Sequence, residues 1–111
     1  MLSQSGPQLL EGKMDEKKYT IYKEMALTHS DFFHWLPKAI KGKTHKVEGS
    51  CIKIESSDGI WTIQLGKEGK RHLALLSIPT TPVMMIFEGY STSSRNAALE
   101  RFDRAFHRGG G

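Results

Sequence analysis

The sequence predicts an α+β domain in which an antiparallel sheet carries two helices packed on one of its faces. Three observations carry that expectation. Apolar residues alternate along several short stretches, they recur at three- and four-residue spacing along two longer ones, and hairpin-length connections join most of the alternating stretches. Connections that short join antiparallel neighbours, because a parallel crossover takes a dozen or more residues. The resulting order is strand, helix, four strands, helix. Such a set buries a common core most simply when both helices lie on one side of the sheet.

The first strand is read in YTIYKEMAL, where Tyr19, Ile21, Met25 and Leu27 fall on one side and Lys23 interrupts the series. THSDFFHWLPKAI follows as a helix. Thr28 and Asp31 stand at capping-box spacing, with Ser30 as a rival cap, and Phe32, Leu36 and Ile40 recur on one face beside Phe33. Pro37 lacks a backbone donor, so a kink or a second short turn is expected there. Four strands come next. HKVEGSCIKIES places Ile52 and Ile54 on one face, SSDG turns the chain, and IWTIQLG alternates with Trp61, Ile63 and Leu65 inward. KEGKR reads as a charged turn, and HLALLSI and VMMIFEG read as strands joined by PTTP. STSSRNAALERFDRAFHR closes the chain as a helix. Ala98, Leu99, Phe102, Ala105 and Phe106 follow the three-four rule there, behind a choice of Ser and Thr caps. The expected core comprises Phe32, Leu36, Trp61, Ile63, Leu99, Phe102 and Phe106.

Residues 1–18 read as a flexible tail, polar and broken by Gly and Pro, with Leu9-Leu10 as an isolated apolar pair rather than the long run of a signal peptide. Residues 19–108 form the single domain, long enough to build a core without disulfides or metal. Residues 109–111 are a glycine tail. A Gly-Gly end invites comparison with ubiquitin-like carriers, but those extend it from a strand. Here the glycines follow a helix, and Gly109 stands where a C-cap favours left-handed geometry, so a capped, frayed end is the expectation. The one cysteine, Cys51, excludes an internal disulfide and predicts a reducing, cytoplasmic setting. A net charge of +4 favours anionic partners, and no stretch reaches the length of a membrane span, so no membrane partner is expected.

The residues that could carry chemistry do not form a recognisable constellation. His29 and His34 are five apart, whereas a helical zinc pair is four apart, and His45, His72 and His107 lie in other elements. His107 stands at helical spacing from Asp103, which predicts a solvated pair. Cys51 sits in a strand next to Ile52, as a small packing residue does, and there is no nucleophile elbow, P-loop or dinucleotide fingerprint. The expectation is a protein without catalytic residues, metal or cofactor, with an enzyme that uses a histidine near the THSDFFHW helix as the third-ranked reading.

The wording of LTHSDFFHWLPKAI, LLSIPTTPVMMIFEGYS and RFDRAFHRGG resembles that of a family of small uncharacterised bacterial proteins, over residues 19–110. The resemblance implies no activity and supplies no site residues. The element order is also similar to that of TATA-binding-protein-like and helix-grip folds, a likeness of architecture that transfers no function.

Two surfaces rise above this background. The last two strands are apolar on both sides. Val83, Met85 and Phe87 form one row and Met84 and Ile86 the other, while Leu73 and Leu75 oppose Ala74, Leu76 and Ile78. Helices on one face can cover only one row, so Met84, Ile86, Leu76 and Ile78 are candidates for an interaction surface, the alternative being that the 1–18 tail or a coiled sheet covers them within the chain. The second surface is basic. Arg101, Arg104 and Arg108 share a side of the last helix, Lys38, Lys41, Lys43 and Lys46 cluster at the exit of the first, and Lys67, Lys70 and Arg71 occupy a turn. These features predict a non-catalytic interaction module that self-associates, preferably as a two-fold dimer, with a further protein or anionic partner also in keeping. The alternative is a binder of a small or lipid-like ligand, held between the sheet and the last helix.

Overall fold

The structure, a computed structural model, describes residues 18–108. The expected tail at 1–18, apart from Lys18, and the glycine tail at 109–111 lie outside the described residues. The elements are β1 (Lys18–Met25), α1 (His29–Ala39), β2 (His45–Glu48), β3 (Cys51–Ser56), β4 (Gly59–Leu65), β5 (Gly69–Leu73), β6 (Leu76–Glu88) and α2 (Thr92–Arg108). The sheet is antiparallel throughout, in the order β1-β6-β4-β3-β2, with β5 paired to the first part of β6. Both helices pack on one face, and the class is α+β as the sequence predicts.

Local chemistry accounts for the helix ends. Thr28 accepts from the Asp31 backbone N–H at 3.0 Å while the Asp31 carboxylate accepts from the Thr28 N–H at 3.3 Å, the reciprocal box expected of that spacing. The helix runs through Pro37 and ends at Ala39. Ser91 caps α2, its hydroxyl accepting from the Ser94 N–H at 3.0 Å.

In two places the chain turns where local patterning does not lead one to look. HKVEGSCIKIES is two strands, because Gly49, with φ of 60°, takes the left-handed geometry of a tight turn and lets Val47 pair with Ile52. PTTP is strand rather than connection, and the reversal lies at Ala74-Leu75 instead. A strand tolerates both prolines because of where their missing donors fall. The Pro82 carbonyl accepts from the Gly66 N–H at 2.7 Å, so the Pro82 nitrogen faces the gap where residues 66–68 leave the ladder. Pro79 has the opposite parity and turns its nitrogen to the edge of β6 that lies beyond the end of β1. KEGKR shortens accordingly, with Gly69, Lys70 and Arg71 already in β5.

The core lies between the sheet and the helices. Ile52, Ile54, Trp61, Ile63, Val83, Met85 and Phe87 point inward and are buried, so the odd-numbered row of β6 is the core row. Of the expected core, Phe32, Leu36, Trp61, Ile63, Phe102 and Phe106 are buried, and Leu99 is half-buried against them. Aromatic rings dominate the interface with α2. Trp61 stacks on Phe87 at 4.9 Å and meets Phe102 at 5.9 Å, Phe102 meets Phe106 at 4.5 Å, and Phe106 stacks on Phe32 at 5.0 Å. Lys23 fastens α2 to β1 through Asp103 at 2.8 Å, which gives Asp103 a different partner from the His107 expected of it.

Candidate functional site

β6 is the longest strand, and its two ends live in different surroundings. From Val83 to Glu88 it lies between β1 and β4, at Thr81 and Pro82 it pairs with β1, and from Leu76 to Thr80 it pairs with β5 alone. The β5–β6 hairpin therefore stands out from the domain as an arm, and the described residues measure 62 Å along their longest axis. Every residue from Lys67 to Ser77 is exposed.

The tip of this arm is apolar. Leu73 and Leu76 face each other across the ladder at 52% and 65% exposure, and Leu75 between them is 101% exposed. Ala74 adopts φ of 54°, a left-handed turn position that Gly, Asn or Asp occupies at lower cost. The tip thus has neither the polarity nor the residue types that turn chemistry favours.

The arm springs from a fixed base. The Glu68 carboxylate accepts the His29 backbone N–H at 2.8 Å, at the positive end of α1. The His29 Nε2 donates to the Gly66 carbonyl at 2.7 Å, which sets its tautomer, since a carbonyl can only accept. Arg71 pairs with Glu24 of β1. These contacts tie residues 66–71 to two other elements and give His29 a structural role.

Alternation along β6 places Leu76, Ile78, Pro82, Met84 and Ile86 on the same side of the strand, away from the helices. Met84, Ile86 and Ile78 are half-buried and Leu76 is exposed. Tyr22 of β1 sits opposite Met84 at 75% exposure, and Gln64 of β4 flanks Met84 on the other side. Where the arm leaves the domain, Tyr22, Lys23, Gln64, Gly66, Pro82, Val83 and Met84 line a groove of about 420 Å³. Neighbouring β2 and β3 present a different surface, with Lys46, Glu48, Lys53 and Glu55 exposed around Cys51.

The basic candidates lie elsewhere. Arg101 is half-buried and Arg104 exposed on the side of α2 that faces the exit of α1, in the helical layer. Arg108 ends α2, and its side chain lies outside the described residues. The apolar and basic candidates therefore form two surfaces. Sequence reasoning missed the arm, its base and Tyr22; the one local signal was LALL at a hairpin tip without the usual Gly or Asn. Among the described residues no three His, Cys, Asp or Glu side chains gather as a metal site would require, and no helix is long and apolar enough to cross a membrane.

No protein-family model matches the chain, and neither a curated protein nor a solved structure matches it.

Proposed function

We propose that this protein is a non-catalytic interaction module that self-associates through the arm and the outer side of β6. The observation that carries this reading is Leu75: a leucine wholly exposed at the tip of an arm whose base is tied down on two sides. An apolar side chain in that position gains about 1.5–3 kcal/mol when a partner covers it, and Leu73 and Leu76 stand beside it. A second copy is the occupant that the geometry suits. A two-fold axis across the middle of the arm lays each tip against the partner's groove at Tyr22, Pro82 and Met84. The contact belongs to side chains rather than backbone. Pro79 withholds a donor from one edge of the arm, and Lys70 on β5 charges the other, so strand addition is disfavoured. The stacked rings between the sheet and α2 weigh against a ligand held there. A reducing cytoplasmic setting goes with the single half-buried Cys51.

Sedimentation tests the reading. Wild type is expected to run as a dimer, and Leu75→Ser with Leu76→Ser as a folded monomer with unchanged far-UV circular dichroism. Met84→Glu should dissociate it in the same way. A wild type that stays monomeric at high micromolar concentration, or a serine variant that stays dimeric, rejects it.

A further inference from the structure

Where α1 ends, Lys38 and Lys41 meet Arg101, Arg104 and Ala105 of α2 around a cleft of about 230 Å³. The geometry points to a binding site for a free phosphate-type anion of pyrophosphate size. Along the sequence these cations belong to two unrelated clusters, and the fold brings them to one place. Among the described residues none of the four lies within ion-pair distance of a carboxylate. The nearest acids in sequence are otherwise disposed: Asp103 is held by Lys23, and Glu100 forms no pair with Arg104 despite its helical spacing. Ala105 contributes only a methyl group, so its side chain does not fill the cleft.

A bland account exists for half of this. Lysines at a helix C-terminus interact favourably with its dipole, which covers Lys38 and Lys41. It does not cover Arg101 and Arg104, which come from the middle of a different helix. Nor does it explain the backbone of Lys41, whose φ of 56° is left-handed geometry in a residue other than glycine. Gly42 is left-handed as well, with φ of 68°, and its N–H bonds the Pro37 carbonyl at 2.8 Å. The chain thus keeps a lysine where a glycine would sit with less strain, and that lysine lines the cleft. Backbone strain of this kind clusters at ligand-binding positions. Two guanidinium forks and two ammonium groups match the several oxygens and multiple charge of a di- or polyphosphate better than the single charge of a carboxylate.

Calorimetry with pyrophosphate, at constant ionic strength in chloride, tests the site. Arg101→Ala with Arg104→Ala, and separately Lys41→Gly, should each weaken binding by about tenfold or more, the equivalent of about 1.4 kcal/mol. Lys41→Gly should also raise the melting temperature in the absence of pyrophosphate, a combination that a merely structural lysine would not give. Lys46→Ala with Lys53→Ala, on the sheet's outer surface, should leave binding unchanged. Equal weakening by that control pair, wild-type affinity in Lys41→Gly, or binding seen only to vesicles carrying phosphate headgroups would overturn the assignment.

Discussion

The two halves of β6 both carry large apolar residues and meet opposite fates. In MMIFE the strand has neighbours on both sides and helices above, and Met85 and Phe87 are essentially inaccessible. In LSIPT it has one strand neighbour, and exposure rises from the buried Thr80 to Leu76 at 65%. Composition decides that a residue gains from burial; the number of neighbouring elements decides whether the domain itself can supply it. The arm is where that supply ends.

The sharpest way to break the comparison is to place a charge in each environment. Met85→Glu puts a carboxylate into the core, a penalty of several kcal/mol against a total stability of about 5–15 kcal/mol, and should abolish cooperative melting. Met84→Glu, one residue away on the outer side, should keep a cooperative transition, lowered only by the loss of the dimer contact. A folded Met85→Glu would mean that the two sides of β6 are exchanged. Within the core, Phe102→Ala removes the ring shared by Trp61, Phe32 and Phe106, and urea denaturation should register a loss of about 3–5 kcal/mol.

Thr81 marks the boundary between the halves. Its buried hydroxyl donates to the Leu27 carbonyl at 2.8 Å, so Thr81→Val strands that acceptor and should cost about 1–3 kcal/mol in the same melts. A smaller effect of opposite sign is expected in the arm. Ala74→Gly relieves a left-handed alanine and should stabilise the monomer by about 0.5–1 kcal/mol, measured in a Met84→Glu background to remove association. Least of all, Leu75→Ser should shift monomer stability by no more than about 0.5 kcal/mol, because no described residue covers that side chain.

The fold class, both helices and the two rows of β6 were legible because each is written in local periodicity. The capping box and the alternation of IWTIQLG needed no knowledge of the rest of the chain. The turn at Ala74-Leu75 was not legible, since a fully apolar LALL carries none of the residues that announce a reversal. The prolines of PTTP misdirected for a related reason: whether a proline interrupts a sheet depends on which edge its nitrogen faces, and edges exist only once strands are assembled. The basic cleft was half legible. Both cation clusters stood out in the sequence, but their meeting depends on α1 and α2 packing side by side. Gly59 shows the same limit. An added Cβ there would collide with the Glu88 carbonyl, a contact that joins distant parts of the chain.

The place of β1 at the sheet's edge bears on how the chain assembles. Among the described residues its only sheet neighbour is β6, in a register running from Lys18 opposite Glu88 to Met25 opposite Thr81. Almost the entire domain must therefore be synthesised before the first strand finds its place. Loop closure over such a span is entropically slow, and folding on the millisecond-to-second scale is expected rather than the microseconds of a helical bundle. During translation α1 and β1 leave the ribosome with Phe32, Leu36 and Met25 bare, and they stay so until the methionine-rich strand emerges to lie between β1 and β4. A nascent chain halted before β6 is the species that most needs a chaperone.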